Sequence, residues 1–131
     1  MRALLLISVL LAGCSAGMNL PGSRGFADQF MEKLAKGDIN GAWEMCDHNQ
    51  LSRDTLDRIA NNPEFTELFR GYKGLEHGQG GNFSSHDGFD EVLLSPAKLK
   101  GQPEWQVRFG LRKYPDGYKV MAFQIERVTP E

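Results

Sequence analysis

The residues best equipped for chemistry fall in one stretch, His77-Gly-Gln-Gly-Gly-Asn-Phe-Ser-Ser-His86-Asp87-Gly-Phe89, which holds two His, one Asp, two Ser and four Gly. A Ser-His-Asp triad needs three groups converging in space, and residues adjacent in a chain point apart, so neither Ser84 nor Ser85 is expected to act as a nucleophile. Metal binding has the better chemical motive, because imidazole and carboxylate are good ligands and two flanks of a hairpin could bring His77, His86, Asp87 and Asp90 together. No His-x-His or His-x₃-His pair fixes a geometry, however. The expectation is therefore a polar loop, with His77 and His86 as the residues to inspect for a metal. The Gly78-Gln-Gly-Gly81 run lacks the Lys and the following helix of a phosphate cradle.

Elsewhere the chemical side chains stand singly. Asp90 and Glu91 would serve as a general base only if buried at the start of a strand; ordinary solvated charges are the expectation. His48, between Asp47 and Asn49, reads as an exposed residue in a polar connection. Cys46 falls on the stripe Ile39, Ala42, Trp43, Cys46, at i, i+3, i+4 and i+7 of a helix, which makes it a buried, inert thiol. Trp43, Trp105, Phe109 and Phe123 could line a ligand pocket, but at helical and alternating spacing they read as core. Arg108 and Arg112 share a strand face and would suit an acidic partner or simply water. No catalytic set and no cofactor is expected.

What must position these residues is a single domain. The chain has 131 residues, with 15 Lys and Arg against 17 Asp and Glu. Without a basic excess it lacks the term that dominates nucleic-acid affinity, so neither DNA nor RNA is an expected partner. A hydrophobic content of 40%, with two Trp, three Tyr and eight Phe, is enough for a packed core.

The first residues read as an address. Arg2 precedes an apolar run from Ala3 to Gly13, roughly 17 Å as a helix against a hydrocarbon core of about 30 Å, too short to span a bilayer. One positive charge, a short apolar stretch and small residues before a Cys describe a secretory signal. Leu11-Ala12-Gly13-Cys14 resembles the lipobox of bacterial lipoproteins. The resemblance implies that residues 1–13 are removed and that Cys14 carries a diacylglyceryl thioether and an N-acyl chain such as palmitate, several chains together making a stable anchor. Ser15, in place of the Asp common in members retained at the inner membrane, points to the outer membrane, facing the periplasm. Residues 14–23 then form a lipidated tether, with a reach of roughly 15–18 Å for its nine linker residues, and residues 24–131 the domain. With Cys14 lipidated, only Cys46 remains and no internal disulfide is available.

Within the domain the first half reads as four short helices. One runs from Ser23 to Lys36, with Phe26, Ala27, Phe30, Met31 and Leu34 on one face and Gly37 as its cap. A second is capped by Asp38 and runs through Cys46. A third is capped by Ser52 and runs to Ala60, with Leu51 placed to staple against Leu56. A fourth opens at Asn62-Pro63. After Gly71 the pattern alternates. Glu104–Tyr114 and Tyr118–Val128 read as a hairpin around a three-residue loop, Pro115-Asp116-Gly117. That register sets Val107 opposite Ile125, Phe109 opposite Phe123 and Leu111 opposite Met121 on a buried face, and leaves Gln106, Arg108, Arg112, Gln124 and Glu126 on the other. Further strands are expected at Phe89–Ser95, extending towards Leu99 despite Pro96, and within Tyr72–Gln79. The expected class is α+β, with N-terminal helices packed on a curved antiparallel sheet of three to four strands.

The pattern Phe26-Ala27-x-x-Phe30…Leu34-Ala35-Lys36-Gly37-Asp38…Gly41-Ala42-Trp43, followed by helices and a long C-terminal hairpin, is similar to small exported proteins of the NTF2-like (cystatin-like) superfamily. The resemblance implies a cone of sheet and helices whose open end serves as pocket or interface, with activity not transferring with the fold. The leading expectation is a lipid-anchored envelope lipoprotein acting without catalysis, as a binding or assembly module of unknown partner, with an envelope protein among the candidates. The alternatives are a small-molecule-binding protein or enzyme using the cone, and metal handling by the His77–Asp90 segment. A filled cone favours the first, and an open pocket of about 300 Å³ or more with convergent polar groups favours the second.

Overall fold

The computed structural model describes residues 22–128. The lipobox-like residues, Cys14 included, lie outside them. Helix α1 (Ser23–Ala35) buries Ala27, Phe30, Met31 and Leu34, one face of a 3.6-residue period. It ends in a Schellman motif: Gly37, at φ 82°, donates to Leu34 O, and Asp38 donates to Lys33 O. Asp38 then caps α2 (Ile39–Glu44), its carboxylate accepting from Gly41 N at 3.0 Å. Ser52 caps α3 (Arg53–Ala60) through Thr55 N, and Asn62 caps α4 (Pro63–Arg70) through Glu64 N, with Pro63 at its first position.

Six antiparallel strands follow: β1 (Leu75–Glu76), β2 (Gly81–His86), β3 (Phe89–Leu94), β4 (Ala97–Leu99), β5 (Gln102–Tyr114) and β6 (Gly117–Arg127). Long β5 takes β6 along one side. Its other side takes β4 near its start and β3 near its end, with β1 and β2 beyond them. The sheet stays open. The class is α+β, with six strands rather than the expected three or four. The additional strands come from two places. The polar stretch expected as a loop forms β2, paired with β3 through the two-residue turn Asp87-Gly88, both at positive φ (53° and 81°). The segment expected to run on from Ser95 towards Leu99 breaks at Ser95-Pro96 and re-enters as a separate strand, β4.

The β5–β6 hairpin keeps Val107 opposite Ile125 and Phe109 opposite Phe123. Nearer its tip the expected register is corrected. Tyr114 pairs with Gly117, leaving Pro115-Asp116 as a two-residue loop, and Leu111 lies opposite Val120 rather than Met121. The residue removed from the loop reappears as a bulge at Met121, where the ladder shifts between Gly110 and Leu111. This puts Val120 into the core and Met121 over Gly110, whose missing side chain leaves room for Met121 and Leu93.

The helices cover one sheet face. Phe30 of α1 meets Phe109 and Phe123 edge-on, at ring-centroid distances of 6.2 and 5.0 Å, and Phe65 of α4 meets Trp105 at 5.7 Å. Val92, Leu99, Val107, Leu111 and Val120 close the sheet side of the same core. No described helix is long and apolar enough to cross a membrane.

Candidate functional site

The His77–Asp90 stretch does not assemble a site of its own. His77 Nε2 lies 2.6 Å from Asp28 Oδ1 on α1, and Arg24 of the same helix donates to Gly78 O at 3.0 Å, so this end of the stretch is pinned to the helix layer. The backbone of His86 pairs with Phe89 in the turn, and its side chain lies outside the described part of the structure. Ser84 and Ser85 are exposed in β2, Ser85 donating to Asp90 at 2.9 Å. Among the described residues no group of three or more His, Cys, Asp and Glu is placed to hold a metal ion.

Several single residues have structural partners. Cys46 is buried, bonds to Ala42 O, and its thiol is pushed up to about 12 by burial first. His48 is exposed, stacked flat on Trp43 at 3.9 Å. Trp105 and Phe109 are core and Phe123 packs against it, whereas Trp43 packs at the margin. Arg108 pairs with Glu126 across β5 and β6. Arg112 is more deeply engaged: it binds Glu91 on β3 through Nε and Nη2, at 3.0 and 2.6 Å, and lies over the Phe89 ring.

Arg112 belongs to a brace on the sheet face turned away from the helices. The chain after α2 runs along the β6 edge, Val120 N donating to Met45 O and Asp47 N to Val120 O, both at 2.8 Å. That contact carries the Asp47 carboxylate, 4% exposed, round the edge to the outer face. There Tyr114 donates to its Oδ2 at 2.6 Å, Asn49 N donates to its Oδ1, and Arg112 Nη1 stands 3.8 Å away. The bond to Asp47 raises the Tyr114 phenol, and the bond to Glu91 raises the Arg112 guanidinium. Every member is satisfied by another, so the cluster locks the α2–α3 connection to three strands and offers no unengaged group to a substrate.

Beside the brace lies a hollow of about 270 Å³ lined by Cys46, Asp47, His48, Tyr114, Asp116 and Lys119; a more capacious one lies elsewhere. A cleft of about 640 Å³ lies between α1, the end of α4 and the Tyr72–Leu75 segment, with Lys100 at its rim. Asp28, Glu32, Ala35 and Lys36 line it from α1, Phe69 and Arg70 from α4, and Tyr72, Lys73, Gly74 and Leu75 from the chain entering β1. Burial, and then the charges of Asp28 and Glu32, raise the Tyr72 phenol, which therefore stays protonated. The bond to Lys36 lowers Glu32. The site thus holds a neutral hydroxyl donor and charges of both signs over a partly apolar floor, a composition suited to holding a polar molecule. None of its lining residues stood out in the sequence as a candidate for chemistry; of the candidates named there only His77 comes near, as the partner of Asp28. Asp28 and His77 are 49 positions apart, and Lys73 and Lys100 look like ordinary surface charges until β1 pairs with β4.

The chain matches no protein-family model, no curated protein and no solved structure.

Proposed function

We propose that the protein is a lipid-anchored lipoprotein of the bacterial envelope, facing the periplasm from the outer membrane, and that its domain is a non-catalytic binding module whose site is the cleft between α1, α4 and β1. The observation that carries the binding role is the cleft itself: the space between helices and sheet is filled by Phe30, Met31, Phe109 and their neighbours, while about 640 Å³ lies open between α1, the end of α4 and the chain entering β1, with Asp28, Glu32, Lys73 and Lys100 among its lining. The anchor rests on Leu11-Ala12-Gly13-Cys14. An NTF2-like (cystatin-like) cone is the fold reading we favour, supported by helices that precede the sheet and cover one face of it.

Two measurements test this. Cys14→Ala should abolish processing and membrane retention on fractionation; a variant processed normally and still retained would contradict lipidation. Titration of the purified protein with a fragment panel, followed by backbone amide NMR, should move the amides of Tyr72–Leu75 and of the second half of α1. Shifts confined to other surfaces would contradict the cleft.

A second reading, assembly with an envelope protein, is favoured by the outer strand β2. Its exposed residues Asn82, Phe83, Ser84 and Ser85 carry no charge, it contains no Pro or bulge, and Phe83 is 41% exposed. Photo-crosslinking from position 83 in intact cells should trap a neighbour if this edge is used.

A further inference from the structure

The charges of the cleft are unequally engaged. Lys36 is held by Glu32 at 2.8 Å, Arg70 by Glu67 at 2.5 Å, and Asp28 faces His77 at 2.6 Å. Lys73 and Lys100 differ: among the described residues no carboxylate lies within 4.0 Å of either. They sit on two facing turns joined by Lys100 N donating to Gly74 O at 3.0 Å. Each lysine stem crosses the glycine of the opposite turn. A Cβ on Gly74 would stand 3.5 Å from Lys100 Cδ, and one on Gly101 would stand 3.7 Å from Lys73 Cδ. Both glycines have positive φ, 115° and 76°, where other residues are strained, so no side chain lies between the lysines and the turns.

Resting on the reading of the cleft as a binding site, we propose that its ligand is a small phosphorylated polyol, with the phosphate held by Lys73 and Lys100 and the hydroxyls donating to Asp28 and Glu32. Two ammonium groups are compact point charges, which suit a tetrahedral phosphate, whereas the planar fork of Arg70, the group better matched to a carboxylate, has one of its donors, Nη1, on Glu67. The Tyr72 hydroxyl supplies a neutral donor, and Ala35, Phe69 and Leu75 a short apolar floor. The same phosphate-polyol chemistry occurs free in solution and on lipid headgroups. From α1 the cleft is lined by Asp28 in the first half of the helix and by Glu32, Ala35 and Lys36 nearer its end. The soluble molecule is the source proposed, and the lipid is an outcome of the test.

The test uses the full-length protein in detergent micelles, with glycerol 3-phosphate as probe, glycerol as the uncharged control and phosphatidylglycerol vesicles as the lipid arm. Glycerol 3-phosphate should saturably move the amides at positions 72–75 and 100–101, glycerol should not, and Lys73→Ala with Lys100→Ala should weaken the response about tenfold or more. Both lysines are exposed, so unchanged amide shifts elsewhere will show that the variant is folded. An undiminished response in the variant, or a response to glycerol alone, would overturn the phosphate assignment, as would binding seen only with vesicles overturn the soluble source. If the fragment panel reaches the cleft but the phosphate probe does not, the ligand class falls and the cleft stands; if neither reaches it, both fall.

Discussion

The carboxylate of Asp38 occupies the space that a side chain on Gly41 would need: a Cβ there would stand 2.3 Å from Asp38 Oδ2. The same carboxylate accepts from Gly41 N. The Lys-Gly-Asp…Gly-Ala-Trp segment is therefore a corner, in which Gly37 ends α1, Asp38 caps α2, and Gly41 lets the cap close. Gly41→Ala must displace the carboxylate, and it should lower stability by about 1 kcal/mol, as should Asp38→Ala. Because both remove the same bond, the double variant should lose clearly less than the two combined. Urea midpoints of the three variants measure this.

The outer-face brace should be far more sensitive than the neighbouring surface pair. Arg112→Met leaves Asp47 and Glu91 with lost partners, the Arg112 and Glu91 side chains being only 12% and 13% exposed; a loss clearly larger than that of the Arg108 variant is expected. Tyr114→Phe removes one donor to Asp47 and should cost about 1–2 kcal/mol. Arg108→Met breaks a pair whose arginine is 56% exposed, and should change stability by about 0.5 kcal/mol or less. Equal losses for Arg108 and Arg112 would show that the brace is not what holds the α2–α3 connection.

Stability should fall steadily as the solution becomes alkaline. Cys46, Tyr72, Tyr114 and Tyr118 all hold their protons more tightly when folded, through burial for three of them and through the bond to Asp47 for Tyr114. Above pH 9.0 for the thiol and pH 10.0 for the phenols the unfolded chain loses these protons first. It then binds fewer protons than the native state, so each group's contribution, full below those values, is lost as pH rises through the folded pKa, at a slope of up to about 1.4 kcal/mol per pH unit. Chemical denaturation between pH 8 and pH 11 should show this decline, and Cys46→Ala should delay its onset towards pH 10.

Thiol reagents offer an independent check on Cys46. Buried at 3% exposure with its thiol pushed up to about 12, it should not react in the native protein at pH 8, and should react at once in denaturant. Rapid native labelling would mean that the α2 end opens away from β6.

The helices were legible because their signals are local: Asp38, Ser52 and Asn62 cap the helices expected of them, and the apolar stripe of α1 is the one that packs; α2, expected to run through Cys46, stops at Glu44, and Cys46 lies instead in a bridge to Val120 of β6. The far half of the hairpin was legible from alternation, with Phe109 on Phe123. Its tip was not, because a bulge at Met121 and a shorter loop preserve the same pairing further along, and apolar pattern alone does not tell where the extra residue sits. Strand β2 was hidden by composition, since Asn82, Ser84 and Ser85 do not alternate with apolar residues; the Asp87-Gly88 pair was the signal for its turn. The cleft had no local trace, being built from α1, α4 and two turns brought together by the fold.

Processing and acylation at Cys14 are what tie this domain to a membrane, and mass spectrometry of the amino-terminal peptide of the protein from its native membranes tests them most directly. A peptide beginning at Cys14 and carrying a diacylglyceryl thioether with an N-acyl chain is the expected result. An unmodified amino terminus, at Met1 or at any residue other than Cys14, would contradict it.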